Sequence, residues 1–190
     1  MKPQVARNSG APRALFTLLC VALACAAAGC GPSDPLENRV VAGSALSLAM
    51  WRSDAQRELS AQQLADFDRA TQEIRFHVMA DGTATGGAAV QDAMLQMIDR
   101  QTVRHVLQQG LGWELDRAEA ERSTLEAGMK TNALMRTRPG DTDSSNYLSD
   151  LRERQVARLK AATDEVNRTR ESLAATGMAV PPAPSPPPDH

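Results

Sequence analysis

Residues 111–136, LGWELDRAEAERSTLEAGMKTNALMR, and residues 145–175, SNYLSDLRERQVARLKAATDEVNRTRESLAA, stand on either side of the break Arg138-Pro139-Gly140-Asp141. In the first stretch Leu111, Leu115, Ala118, Leu125 and Met129 recur at multiples of three and four. In the second, Leu148, Leu151, Val156, Leu159, Ala162, Val166 and Leu173 fall on one broad face. A period near 3.6 is the signature of a helix with one buried face, and a short Pro-Gly connection brings two such helices back antiparallel. With the turn centred near Pro139-Gly140, facing residue numbers sum to about 280. Leu115 is then expected to face Val166, Ala118 to face Ala162, and Leu125 to lie near Val156. Arg122 and Gln155 fall inside the same stripe. Polar groups in an apolar seam set its register or mark where it opens toward a partner. These two are therefore the candidate partner-binding residues, with Arg122 expected to reach solvent or an acid such as Asp164 or Glu165 across the hairpin. The pairs Asp150 with Arg154 and Asp164 with Arg168 place the acid first at i,i+4, as suits a solvent face.

Upstream, Ser60 followed by Gln63, with Leu59 and Leu64 around it, reads as a capping box with a hydrophobic staple. The helix it opens carries Leu64, Phe67, Ile74 and Val78 on one face, and Asp81-Gly82 ends it in a loop running to Gly87. Residues 45–58 are expected to be helical as well, either separate or continuous with this one. A third helix is expected from about Ala88 to Gln109, with Val90, Met94, Met97 and Ile98 on one face and Gly110 ending or kinking it. Only 3% of the 190 residues are aromatic while 42% are hydrophobic, which favours helices over a β-sandwich or barrel. The expected fold is all-α, about four helices ending in a long antiparallel hairpin of coiled-coil type, 111–136 and 145–175, with a disordered Pro-rich tail.

Chemistry-bearing patterns are sparse. A formal net charge of −2 supplies no basic footprint for nucleic acid. Asp141-Thr142-Asp143-Ser144-Ser145 begins like a calcium loop, but Asn146 stands where glycine makes the turn and Arg152 where a bidentate Glu closes the site. Capping of the last helix by Asp143, Ser144 or Ser145 is the expected task. Gly82 to Gly87 lacks the Lys and Ser/Thr of a phosphate cradle. His77 and His105 have no second ligand at metal spacing, and no Gly-x-Ser-x-Gly elbow is present. Met94, Met97, Met129 and Met135 suit either gap-filling core or an adaptable groove. No catalytic, metal or cofactor site is assigned. Binding to an envelope protein partner is the expected mode of action, with an envelope hydrolase as the competing class.

At the N-terminus Lys2, Arg7 and Arg13 precede Ala14 to Gly29, sixteen residues without charge, which is short for a membrane span and suited to the core of a cleaved export signal. All three cysteines, Cys20, Cys25 and Cys30, lie here, so an exported domain has no disulfide of its own. Ala27-Ala28-Gly29-Cys30 resembles the lipobox of bacterial lipoproteins, departing from it at Ala27, where Leu is usual. The resemblance covers the signal alone. It implies a signal peptide over 1–29, acylation of Cys30, and attachment to the cell-envelope membrane through lipid. Gly31, in place of Asp, implies the periplasmic face of the outer membrane and not the inner one. Ala26-Ala27-Ala28 also fits an ordinary signal-peptidase site, which would leave a soluble periplasmic protein. Removal of Lys2, Arg7 and Arg13 takes the charge from −2 to −5. The expected organisation is then a lipidated tether over 30–43, a helical domain over 44–176 and a disordered tail over 177–190. Six prolines between Pro181 and Pro188 give that tail a polyproline II character.

Overall fold

The computed structural model describes residues 34–138 and 140–180. The expected signal segment, Cys30 and the prolines from Pro181 onward lie outside the described residues. Among the described residues the fold is all-helical. Five helices follow one another among the described residues: α1 (Ala45–Ala55), α2 (Ala61–Ala80), α3 (Gly87–Ile98), α4 (Val103–Ala133) and α5 (Thr142–Ala175).

The starts follow from local chemistry. The Ser60 hydroxyl accepts from the Gln63 amide, while the Gln63 side chain accepts from the Ser60 amide. This is the reciprocal cap expected from the sequence. α1 begins in the same way with Ser44 and Ser47, and it ends separately from α2. For α5 the cap is Asp141, whose carboxylate accepts from the Ser144 amide at 3.0 Å, not a residue within 143–145. Hydrogen bonds from the Ser144 amide and hydroxyl hold the Asp141 carboxyl below the usual carboxylate range. The last helix therefore starts three residues before the expected Ser145.

The expected helix over 88–109 is corrected most strongly. The chain breaks at Asp99–Thr102 instead, and Gly110 lies deep inside the 31-residue α4. Arg100 takes a left-handed φ of 62°, and Thr102 caps α4 by accepting from the His105 amide. What stabilises this break is a strap from the N-terminal side. The Val40 amide donates to the Gln101 carbonyl, the Arg100 amide to the Val40 carbonyl, and the Val103 amide to the Asn38 carbonyl. Asp99 Oδ1 accepts from the Ala42 amide at 2.7 Å. A glycine at 110 is needed for another reason: a Cβ there would sit 2.3 Å from the Ala70 carbonyl oxygen, so α2 crosses α4 nearly in backbone contact.

The strap overturns the reading of residues 30–43 as a tether. Pro35–Glu37 form a 3₁₀ turn, and Leu36, Val40 and Ala42 are buried in the same cluster as Phe67, Ile74, Ile98, Val106 and Leu111. The packed domain thus begins at Pro35 and not at 44. At its far end Gly177 follows α5 with φ 81°, and Val180 packs against the core, three residues beyond the expected start of the tail at 177.

α4 and α5 form the antiparallel hairpin, with limits Val103–Ala133 and Thr142–Ala175 in place of 111–136 and 145–175. Its base is covered by α2. Beyond Ala118 on α4 and before Ala162 on α5 no residue of either helix is fully buried, and this part is called the arm.

Candidate functional site

Two groups of polar side chains lie along the hairpin, one in the arm and one at its base. In the arm Leu125, Met129, Leu148, Leu151 and Leu159 are half-buried, as expected of a two-helix seam without a third layer. The face on α5 that turns inward recurs at Leu148, Leu151, Gln155, Leu159, Ala162, Val166, Thr169 and Leu173. Gln155, and not Val156, holds the seam position, and Val156 is 55% exposed. Cross-helix contacts join Glu114 to Thr169 and Arg117 to Glu165, while Gln155 Nε2 lies 3.9 Å from the position of a Cβ at Gly128. Those numbers sum to 283, 282 and 283, about three more than a turn centred on Pro139-Gly140 requires. The arm surface exposes Leu134, Met135, Tyr147 and Val156.

Arg122 and Gln155 both sit in this seam. Neither side chain is satisfied there: Arg122 Nε and Gln155 Oε1 are buried without a hydrogen-bond partner. Arg122 does not cross the hairpin to Asp164 or Glu165. Its Nε faces Glu126 on its own helix at 3.5 Å, as an ion pair only. Glu165 is already engaged by Arg117 at 3.2 Å. Truncating Arg122 breaks no hydrogen bond at Nε, and its side chain, one-fifth exposed, contributes packing along the seam; Arg122→Ala is expected to leave the fold intact with a modest loss of stability.

Half-burial also sets the energetic scale of the arm. Leu125→Ala is expected to destabilise by about 1 kcal/mol, well under the loss at a fully buried leucine. Val156→Ala should change stability by less than about 0.5 kcal/mol. Chemical denaturation of both variants checks the pair, and equal losses would place Val156 back in the seam.

The group at the base was missed in the sequence. Asp66, Arg69 and Glu73 on α2 meet Glu114 and Arg117 on α4 and Glu165, Thr169 and Ser172 on α5. Arg69 bridges Asp66 at 3.1 Å and Glu114 at 3.6 Å, and donates to the Ser172 hydroxyl at 3.3 Å. The Thr169 hydroxyl donates to Glu114 at 3.2 Å, and the Ser172 hydroxyl donates to Asp66 at 3.2 Å. Arg117 holds Glu73 at 3.0 Å and Glu165 at 3.2 Å. Its hydrogen bond with Glu73 outweighs desolvation and raises the guanidinium pKa further above its usual value. Four carboxylates thus share two guanidinium groups in a cluster that is buried at Asp66, Glu73 and Glu114, more open at Arg117 and Glu165, and ties three helices together. Glu114 Oε2 and Arg69 Nε are left without hydrogen bonds.

These acids converge on arginines, not on a cavity. Clefts of about 320 and 480 Å3 lie elsewhere, the larger lined by Trp113, Leu115, Arg170 and Val180. His77 stacks on Trp113 at 3.7 Å, and His105 is exposed on α4. Met94 is buried and Met97 packs against the core, whereas Met135 is exposed. Among the described residues no cluster of His, Cys, Asp and Glu is arranged to hold a metal ion, and no helix is long and apolar enough to cross a membrane.

No family model matches the chain, and neither a curated protein nor a solved structure matches it.

Proposed function

We propose that the protein is a lipid-anchored component of the bacterial cell envelope that acts by binding, presenting the two-helix arm to a helical protein partner. The observation that carries this reading is the arm itself. Its seam is only half-buried, two of its polar side chains keep buried atoms without partners, and Leu134, Met135, Tyr147 and Val156 face outward. A helix laid along such a face would complete the third layer that α2 supplies at the base, in the manner of a helix seated in a groove. The anchor rests on Ala27-Ala28-Gly29-Cys30. Several acyl chains on Cys30 would hold the protein at the membrane without a spanning helix.

The test is photo-crosslinking in intact cells, with a photoreactive residue at Tyr147 or Val156 and a control at the exposed Arg57. The expected result is one discrete adduct from the two arm positions, none from Arg57, and a weaker adduct when Arg122→Ala is added without loss of folding. In the same cells Cys30→Ser should move the protein out of the membrane pellet and abolish acyl labelling, while Cys25→Ser should do neither. Adducts alike at all three positions, or at none, would remove the arm as the binding element. Undiminished acyl labelling in Cys30→Ser would remove the anchor.

A further inference from the structure

We propose that α1 rests on the bilayer surface, with the exposed apolar side chains of Leu46 and Met50, and Val41 just before the helix, seated among the lipid headgroups. The inference rests on the reading of Cys30 as the lipidated residue. α1 has two apolar faces. One is accounted for, since Leu48 and Trp51 pack on the core, Ala55 is buried and the Trp51 ring lies 5.0 Å from that of Phe67. The other is not. Leu46 is 72% exposed, Met50 62% and Val41 53%. A helix on a water-facing surface carries polar residues outward, and isolated apolar residues there are ordinary; two at i,i+4 on one helix are an unpartnered face.

The length of chain ahead of the domain says what covers that face. The fold now begins at Pro35 and not at 44, so Cys30 is joined to it by five residue steps, spanning at most roughly 18 Å when fully extended. Pro35 lines one cleft together with Asp54 and Ala55 of α1, so the chain enters the domain beside the C-terminal turn of that helix. Asp54, Met50 and Leu46 succeed one another at four-residue intervals, about 6 Å each along the axis. Leu46 and Met50 are therefore within the distance that a lipid on Cys30 allows between the membrane and the domain. The charged residues of α1 are Arg52 and Asp54, one of each sign, so the attraction is of apolar side chains to lipid and not of a basic patch to anionic headgroups.

The test uses the chain from Cys30 onward, in which Cys30 is the one thiol. A maleimide lipid with a single fourteen-carbon chain is coupled to it. One such chain binds membranes only marginally, so any contribution of the protein surface is measurable in the partitioning. Sedimentation with phosphatidylcholine vesicles should show Leu46→Gln/Met50→Gln partitioning about tenfold more weakly than the parent chain, and Leu46→Gln alone about threefold more weakly. Met79→Gln, at an exposed apolar position near the end of α2, should partition as the parent does. Helical circular dichroism establishes that each variant is folded, as expected for exposed positions. A double variant within twofold of the parent, or an equal loss with Met79→Gln, overturns the proposal. Because the lipid is attached chemically, this outcome is independent of cellular acylation, and failure of the anchor reading appears separately as persistent acyl labelling in Cys30→Ser.

Discussion

Arg69→Met is expected to destabilise the domain by about 3–5 kcal/mol, enough to unfold much of the population at physiological temperature. Methionine keeps most of the length and apolar stem of arginine, so the loss is electrostatic and not a cavity. Arg69 is the cation that Asp66 and Glu114 share, and the side chains of these acids are only 9% and 8% exposed. Removing it leaves two carboxylates desolvated, with the hydroxyls of Ser172 and Thr169 and the Gln62 amide as their remaining neutral donors. A buried charge without its partner costs far more than the intact pair contributes, and that asymmetry fixes the size of the effect. Glu114→Gln should cost much less, because the amide oxygen still accepts from Thr169 and one carboxylate remains for the cation. Urea denaturation of the two variants decides the matter. If Arg69→Met loses no more than Glu114→Gln, water reaches the cluster and its charges are screened.

The hairpin and the capping of α2 were legible because each rests on local chemistry or a repeated period. The polar cluster was not, although its parts stand in the stripes. Glu114 is three residues after Leu111 and four before Ala118, and Thr169 is three after Val166 and four before Leu173. A stripe assembled from apolar residues alone selects Leu115 over Glu114 and passes over Thr169. The missing signal was that both helices put a polar residue at the same height, and pairing of the two stripes at the correct register would have revealed it. The tether was misjudged for a related reason. Pro35 breaks periodicity, but Leu36, Val40 and Ala42 are buried through hydrogen bonds to residues some sixty positions later, a nonlocal arrangement with no local pattern. The place of Arg122 and Gln155 in the seam was legible because they interrupt a long stripe whose register there needs no third helix.

Gly110→Ala is expected to destabilise the domain by about 1–3 kcal/mol or more, against the direction that helix propensity predicts. In the interior of an exposed helix alanine exceeds glycine by about 1 kcal/mol, so the same change at Gly112 of α4, where a Cβ meets open space, should be neutral or stabilising. Gly112 has nothing within 4 Å of where its Cβ would stand. At Gly110 the added carbon would lie 2.3 Å from the Ala70 oxygen and 2.6 Å from the Ala70 carbonyl carbon and Cα. None of these is the end of a flexible side chain that can swing aside; they are backbone of α2, itself fully buried at Ala70. The helices must therefore separate, and separation loosens the layer that carries Asp66, Arg69 and Glu73 against Glu114 and Arg117. The loss should accordingly be smaller when combined with Arg69→Met than when made alone, since part of what it disrupts is already gone. Thermal denaturation of Gly110→Ala, Gly112→Ala and the double variant with Arg69→Met provides the measurement. A Gly110→Ala protein as stable as Gly112→Ala would mean that α2 and α4 do not cross at backbone distance, and the three-helix base would have to be rebuilt.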